Sequence, residues 1–474
     1  DEALPKSWAT VKLAEVGTWR GGGTPSKSNS AFWTAGTIPW VSPKDMKVPK
    51  LSTAQDFITE SAVDSSATNL VSPHSVLLVT RSGILAHSLP TAVNLVSVAL
   101  NQDLKAVTPH RFADSEFLRL SFRCFERDIL NACRKGGTTV HSIEFPALQD
   151  FTIPLPPLAE QKRIVAKIEE LFSELEAGEE SLRLARRQLA TYRQSLLKQA
   201  FEGKLTQTWR TQNPDKLESP TESNIATDEL EGFPDLPESW RYTRFGESIR
   251  HIDAGKSFRC EERRPTPDEI GVAKVSAVTW GEYDEAESKT CIDPEKVNPD
   301  YFIRSGDFIL SRANTIELVG ACVIVHKVTQ RVMLSDKTLR LTIADALKPF
   351  FLHYLRSRHG RREIEKRSTG NQESMRNIGQ DRIRSIVVPE CSLPEQQEIV
   401  RLLNEQFEAI ERNEQELDVA LQRSEALRQA ILKKAFTGRL VPQDPADEPA
   451  TELLARLQEE RAPSTRLVRK KTRP

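Results

Sequence analysis

The chain has 474 residues, with 66 lysines and arginines against 67 aspartates and glutamates, and its formal net charge is −1. That balance gives no overall attraction to a polyanion, so a nucleic-acid role must rest on local features. The six cysteines form no CxxC pair, which disfavours a zinc site. Neither a signal peptide nor an apolar run near the ~20 residues of a membrane span is visible. Composition therefore predicts a cytoplasmic protein of about three domains.

A widely spaced internal repeat is the most informative pattern in the chain. Residues 160–205 recur without a gap as residues 395–440, at an offset of 235, and 18 of these 46 positions are identical. The motif LPxSW stands at residues 4–8 and again at residues 236–240. The chain is therefore one long unit made twice, and two equivalent units are expected to meet about a pseudo-twofold axis.

Between these landmarks the two halves diverge, so the expected order is variable block, repeated helix, variable block, repeated helix. We expect an acidic linker between the halves and, near the end, a short helix over ATELLARLQEER followed by a solvated basic tail. The predicted segments are a first globular block at 1–157, a first spacer helix at 158–206, a linker at 207–235, a second globular block at 236–390, a second spacer helix at 391–441 and a tail at 442–474.

Apolar residues in the repeated segments fall on two positions of a seven-residue repeat, which lie alternately four and three residues apart, the heptad pattern of a coiled coil. They are Ile164, Ile168, Leu171, Leu175, Leu182, Leu189 and Leu196 in the first copy, and Ile399, Leu403, Ile410, Leu417, Leu427 and Ile431 in the second. A stripe about 70 Å long cannot be buried within one compact domain, so the two copies should pack on each other. The predicted fold class is α+β, with two globular domains separated by a pair of long antiparallel coiled-coil helices.

Several motifs make the chain resemble the DNA-specificity subunit of type I restriction–modification systems. They are PLAEQKRIV at 157–165, LPEQQEIV at 393–400, QAFEGKL at 199–205, KAFTGRL at 434–440 and the two LPxSW openings. GGGTPSKS at 21–28 and IPWVSPKDM at 38–46 also resemble a target-recognition domain of this family, whereas the second block departs from that version. The resemblance covers nearly the whole chain, including the order of its parts.

The resemblance implies a non-catalytic reader of double-stranded DNA in which each globular block is a target-recognition domain for one half of a bipartite, asymmetric site. It also implies that the paired helices fix the gap between the halves and dock two methyltransferase subunits, which direct methylation to adenine N6. Restriction subunits, which are motor nucleases, would join for cleavage. No cofactor is expected on this chain; S-adenosylmethionine would belong to the methyltransferase subunits, and ATP and magnesium to the restriction subunits.

Candidate DNA contacts are hydroxyl, amide and basic side chains in loops, because these groups pair with base edges and phosphates. In the first block they are Thr24, Ser26, Lys27, Arg81, Arg134, Lys135, Thr138, Thr139 and His141. In the second block they are Arg312, Arg367, Asn371, Gln372 and Arg376. A plain turn around Thr24 and structural ion pairs at Arg81 and Arg312 remain open alternatives.

Two other functions are left open by the residues. A stand-alone metal-dependent nuclease could use Asp268, Glu287 and Lys289, although such patterns arise by chance in a highly charged chain. A coiled-coil adapter could join two protein partners without contacting DNA. The segment AGKS at 254–257 looks like the end of a phosphate-binding P-loop, but Arg250 stands where the leading glycine is required.

Overall fold

The structure is a computed structural model of the chain. The residues that it describes are 3–135, 140–218, 223, 225–279, 281–373 and 375–461, without the side chains of 371 and 457–461. They form two compact units: unit 1 runs up to Leu182 and resumes at Val419, and unit 2 is Arg183–Asp418. None of the described helices is long and apolar enough to cross a membrane.

The globular domain of unit 1 consists mainly of short strands. These are β1 (Ala9–Lys12), β2 (Gly17–Gly21), β3 (Ile38–Val41), β4 (Lys50–Leu51), β5 (Asp56–Ile58), β6 (Leu70–Val71), β7 (Val76–Val79), β8 (Arg81–Ser82), β9 (Thr91–Asn94), β10 (Val98–Leu100), β11 (Leu104–Pro109), β12 (Arg134–Lys135), β13 (His141–Ile143) and β14 (Thr152–Leu155). They form sheets in the orders β2-β11-β7-β9-β4, β5-β3-β10-β6, β12-β13-β8 and β1-β14. The accompanying helices are α1 (Glu60–Ser65), α2 (Ser115–Cys124), α3 (Glu126–Cys133) and α4 (Phe145–Asp150).

Next in the chain come α5 (Leu158–Phe201) and α6 (Gln207–Gln212). The globular domain of unit 2 has strands β15 (Arg241–Arg244), β16 (Ile249–Ala254), β17 (Cys260–Glu261), β18 (Gly271–Ala273), β19 (Ser288–Cys291), β20 (Phe308–Ser311), β21 (Ala313–Asn314), β22 (Cys322–Ile324), β23 (Val332–Met333), β24 (Thr338–Ile343), β25 (Thr369–Gln372), β26 (Met375–Asn377) and β27 (Val387–Glu390). Its sheets have the orders β16-β24-β20-β22, β17-β19-β18-β23, β21-β26-β25 and β15-β27. The remaining helices are α7 (Lys348–Arg356), α8 (Arg358–Arg367), α9 (Gln380–Arg384), α10 (Leu393–Phe436) and α11 (Ala450–Arg461).

One buried strand at the centre of each domain explains how its sheet is held. β7 reads Val-Leu-Leu-Val and is buried on both faces; its alternate side chains enter two different apolar clusters. β20 reads Phe-Ile-Leu-Ser and divides its side chains between two clusters in the same way. Because successive side chains of a strand point to opposite faces, each strand is covered by packing on both sides. Arg312 directly follows β20, and Arg81 follows β7 after one residue, Thr80.

The long helices α5 and α10 are each shared by the two units. Unit 1 contains the beginning of α5 and the end of α10, whereas unit 2 contains the end of α5 and the beginning of α10. In each unit the two segments run antiparallel: within unit 2, Arg186 pairs with Asp418 while Arg193, further along α5, pairs with the earlier Glu411. The α+β fold with two globular domains and paired antiparallel helices is confirmed.

One residue of the predicted coiled-coil stripe is misplaced. Leu427 is 51% exposed, and the neighbouring Arg428 faces α5 instead. An undistorted helix has 3.6 residues per turn, so a strict heptad stripe drifts by about 20° per heptad. Four heptads separate Ile399 from Leu427, so the drift adds up to about 80° at Leu427. This rotation turns Leu427 away from α5 and brings the next residue, Arg428, to the side that faces α5. The other residues of the predicted stripe are buried or half-buried.

The repeat is reproduced in the contacts between the helices. In unit 1, Arg428 lies 5.2 Å from the ring centre of Phe172 and 3.1 Å from a carboxylate oxygen of Glu179. In unit 2, Arg193 lies 5.0 Å from the ring centre of Phe407 and 3.7 Å from Glu414. The two arginines, the two phenylalanines and the two glutamates are each 235 residues apart in the sequence, which is the offset of the repeat.

The motifs at the ends of the helices also meet in pairs. The indole Nε1 of Trp8 donates to Glu160 at 3.0 Å, and the indole of Trp240 donates to Glu395 at 2.9 Å. Gly438, with φ of +72°, ends α10 in the left-handed conformation that favours glycine. A side chain there would collide with Pro5 of the LPxSW motif, so the glycine is required by close packing as well as by its backbone.

Described residues of the linker and of the tail pack against the long helices. In the linker, Arg210 forms a 2.5 Å ion pair with the buried Glu395, and Ile225 is buried. In the tail, Asp447 forms a 2.6 Å ion pair with Arg163. The predicted helix over ATELLARLQEER is α11, whereas the basic residues 466–474 lie outside the described residues.

Candidate nucleic-acid interface

In unit 1 the predicted residues around Arg81 and 134–141 come together in one small sheet. β13 pairs with β8, with Ser142 opposite Arg81 and His141 opposite Ser82, and β12 pairs with the other edge of β13. Arg81 and Lys135 are exposed, and His141 is half-buried. Two predicted residues of this segment, Thr138 and Thr139, lie outside the described residues.

The glycine loop of unit 1 lies beside the same sheet. Gly22 passes so close to the carbonyl of Asn101 that a side chain would not fit there. Thr24 donates its hydroxyl to Gln102, and the backbone amide of Arg81 donates to Asp103 at 3.2 Å. Residues 101–103 thus connect the glycine loop to Arg81. Thr24, Ser26 and Lys27 are all exposed on this loop.

Unit 2 builds the same arrangement from different residues. Arg312 precedes β21, and its backbone amide donates to the carbonyl of Lys337 at 2.9 Å. Gly255 runs against the carbonyls of Leu334 and Ser335, where a side chain would collide. The AGKS segment therefore takes the place that the glycine loop has in unit 1. Sequence comparison does not reveal that the two loops are equivalent, because Gly22 and Gly255 each contact backbone carbonyls, which every residue has.

A cavity of about 370 Å³ beside the AGKS segment carries an excess of positive charge. Its charged lining residues are Lys256, Lys274, Lys289 and Lys337, with Glu262 and Asp336. Lys289 forms a 2.8 Å ion pair with Glu262, and this hydrogen bond raises the pKa of Lys289. Sequence reasoning missed these lysines as a group because they come from four separate segments and form no local basic run.

Three predicted contact residues use their guanidinium groups inside the fold. Arg134 donates to the carbonyls of Leu85 and Ala86 at 3.1 and 3.0 Å. Arg367, predicted as a DNA contact, is only 12% exposed and forms a 2.5 Å ion pair with Glu363. Its charge is already compensated within the domain, and leaving Glu363 unpaired would be costly.

Arg376 likewise shapes its own hairpin. It donates to the carbonyls of Gly370 and Ser368 at 2.8 and 3.1 Å, and its role as a DNA contact stays a prediction. Gln372 is exposed at the end of β25, whereas the side chain of Asn371 lies outside the described residues. Arg312 is half-buried beside this hairpin sheet.

The residues of the nuclease hypothesis are engaged separately. Glu287 accepts a hydrogen bond from Ser276 at 2.6 Å, Lys289 pairs with Glu262, and the carbonyl of Asp268 accepts from Arg331. Within the described part of the chain, no three His, Cys, Asp or Glu side chains are grouped so that they could hold a metal ion.

The sequence is similar to a known family model and to known proteins. The family model for the type I restriction modification DNA specificity domain matches residues 5–183. The specificity subunit of the EcoR124I/EcoR124II type I restriction enzyme from Escherichia coli is 45% identical over 158 residues, covering 33% of this chain and 39% of that protein. The EcoKI specificity subunit from Escherichia coli K12 is 24% identical over 488 residues, covering 97% of each.

Solved structures share the fold. A chain from a study of complex assembly and conformational transition in the type I R-M system has a TM-score of 0.65 at 20% identity, covering 93% of this chain and all of that one. The HsdS subunit from Thermoanaerobacter tengcongensis has a TM-score of 0.52 at 20% identity, covering 92% of this chain and 98% of that one. The likeness to these structures shows the fold that the chain shares with them. Residues 5–183 match a type I restriction modification DNA specificity domain, and the chain spans 39% of the first of these relatives and 97% of the second.

Proposed function

We propose that the chain recognises a bipartite, asymmetric double-stranded DNA site and directs partner subunits to methylate adenine there and to cleave unmodified DNA. The two recognition domains would be residues 1–157 and 236–390, each reading one half-site. The main support for the proposal is that both units contain the same three parts in the same arrangement. These parts are a glycine-containing loop, a connecting loop and a small sheet next to Arg81 or Arg312. A protein that reads two unlike half-sites needs the same backbone arrangement in both domains, with different side chains to contact different bases.

Within each recognition domain, exposed and half-buried side chains of these loops and sheets are the proposed DNA contacts. They are Thr24, Ser26, Lys27, Arg81, Lys135 and His141 in unit 1, and Arg312, Gln372 and the lysines of the AGKS cavity in unit 2. The lysines suit phosphates, which set register, whereas Gln372 and the hydroxyl groups suit base edges. Thr138, Thr139 and Asn371 remain proposed contacts on sequence grounds.

The partners would be two methyltransferase subunits and the restriction subunits, with S-adenosylmethionine, ATP and magnesium held by those partners. Duplication of the helix contacts supports two copies of one partner, because each copy would meet an equivalent surface.

Replacement of Lys256 and Lys337 by glutamine should weaken binding to all duplexes, because lysines contact phosphates whatever the base sequence. The slope of log binding constant against log salt concentration should also fall by about one for each lost phosphate contact.

The test is the methylation pattern in cells carrying this chain with its methyltransferase partner. We expect methylated adenines within one bipartite sequence, and replacement of residues 1–157 by another recognition domain should change one half of it only. The reciprocal replacement of 236–390 is the matched control and should change the other half. An assembled complex with no preference for any duplex would instead favour the adapter function.

A further inference from the structure

The hairpin of β25 and β26 carries an apolar side chain where a polar one would be expected. Met375 is 63% exposed, and Gln372 stands opposite it in the ladder. Met375 belongs to the described part of the chain and begins the central strand of the sheet that Arg312 leads into. Met375 is the most exposed large apolar side chain among the described residues, and a bound surface that covers it would remove this apolar area from water.

The hairpin is held rigidly around this methionine. Arg376 donates to Ser368 and Gly370 across the hairpin, and the amide of Ile316 donates to the carbonyl of Glu373 at 2.9 Å. Since the guanidinium of Arg376 is occupied, the exposed side chains described next to the turn are those of Gln372, Glu373 and Met375, and of these three Met375 alone is apolar. A two-stranded antiparallel ribbon fits the major groove of B-DNA, where every base pair presents a distinct edge.

We propose that Met375 reads a thymine by contact with its 5-methyl group in the major groove of the half-site bound by unit 2. The inference rests on the proposed function. Thymine is the base that offers an apolar group in that groove, and a flexible thioether adapts well to a small apolar partner. A half-site that contains a methylatable adenine also contains at least one A·T pair, so a thymine is present for such a contact.

The experiment uses the full chain in complex with its methyltransferase subunits and duplexes of the methylation-mapped sequence. Each thymine of the second half-site is replaced in turn by uracil, which removes only the methyl group. We expect one position at which uracil weakens binding about fourfold, the effect of exposing one methyl group. Met375→Ala should weaken binding of the thymine duplex similarly and should abolish the further effect of uracil at that position.

Two controls keep the result interpretable. Met375→Leu keeps an apolar side chain and should retain most of the uracil effect. Val140→Ala removes an apolar side chain that is 45% exposed in unit 1, and it should leave the uracil profile of the second half-site unchanged. A uracil profile that is flat, or equal in the wild type and Met375→Ala, overturns the inference. Failure of the complex to prefer the mapped sequence over a scrambled one would overturn the proposed function instead.

Discussion

The guanidinium of Arg428 lies 5.2 Å over the ring of Phe172, between the end of one long helix and the beginning of the other. The same contact recurs between Arg193 and Phe407, each displaced by 235 residues in the sequence. An arginine that stacks on an aromatic ring and pairs with glutamate is fixed in direction as well as position. These contacts therefore select the antiparallel register within each unit, which apolar residues alone would specify less sharply.

Replacement of Arg428 by alanine should lower the free energy of unfolding by about 1–2 kcal/mol, because it removes a cation–π contact and a charge-assisted hydrogen bond to the shielded Glu179. The matched control is Arg186→Ala. Arg186 pairs with Asp418 across the same helices, but both side chains are largely exposed, so the loss should be under about 0.5 kcal/mol. Urea unfolding of both variants measures the difference; equal losses would contradict the assigned role of Arg428.

The two buried glutamates at the helix beginnings should respond differently to loss of their tryptophan. Glu160 accepts from Trp8 and Gln443, and burial raises its pKa, whereas Glu395 also has the charge of Arg210 beside it. Trp8→Phe should therefore cost about 2–3 kcal/mol and Trp240→Phe nearer 1 kcal/mol. Hydrogen exchange of the first turns of α5 and α10 would measure the two losses separately.

Glu160→Gln provides the control for this comparison. A neutral amide at position 160 lowers the cost of burial, so Trp8→Phe should be less damaging in the Glu160→Gln background than in the wild type. An unchanged effect of Trp8→Phe in that background would show that lost packing of the indole, rather than an unpaired carboxylate, is responsible. The pair of variants thus separates the two causes by a double-mutant cycle.

Unit 2 should lose stability in mild acid through His353. This histidine is 8% exposed, and burial lowers its pKa from 6.5 to about 4. The folded state then binds fewer protons than the unfolded state between these values, so its stability is full above pH 6.5 and falls as the pH drops towards 4. At pH 5 the loss should be about 2 kcal/mol relative to pH 7.

The control for that prediction is His353→Gln, which keeps a polar group within reach of Asn404 but does not titrate. The urea midpoint of unit 2 should depend less on pH between 7 and 5 in this variant than in the wild type. His353 accounts for the effect only if the variant loses most of this pH dependence. The hydrogen bond between His353 and Asn404, at 3.1 Å, explains why glutamine is the appropriate replacement.

Replacement of Gly255 by alanine should affect DNA binding, whereas replacement of Gly178 by alanine should affect helix stability. Gly255 lies against the carbonyl of Leu334, so Gly255→Ala should displace the AGKS segment and weaken DNA binding at the second half-site at least tenfold. Gly178 has open space around it in the middle of α5, and Gly178→Ala should stabilise the helix by about 0.5–1 kcal/mol without changing DNA binding. Filter binding and thermal unfolding check the two effects; normal binding by Gly255→Ala would contradict the proposed site.

The sequence by itself determined the features that depend on local periodicity and on repetition. The duplicated motifs, the two long helices, the short helix at 450–461 and the buried strands before Arg81 and Arg312 all follow from patterns within a few turns or residues. Such patterns are legible because helix and strand geometry repeat every 3.6 and 2 residues. The resemblance of the motifs was enough to indicate the family.

Only the tertiary structure decided which charged groups are already in use and which segments share a unit. Arg367 and Arg376 look like free contact residues in the sequence, but the structure pairs them with groups of their own helix and hairpin, the carboxylate of Glu363 and the carbonyl of Ser368. The lysines of the AGKS cavity come from four separate segments, and Arg428 replaced Leu427 because a small phase difference accumulates along a helix. Long-range neighbours are set by packing, which the order of residues along one segment does not record.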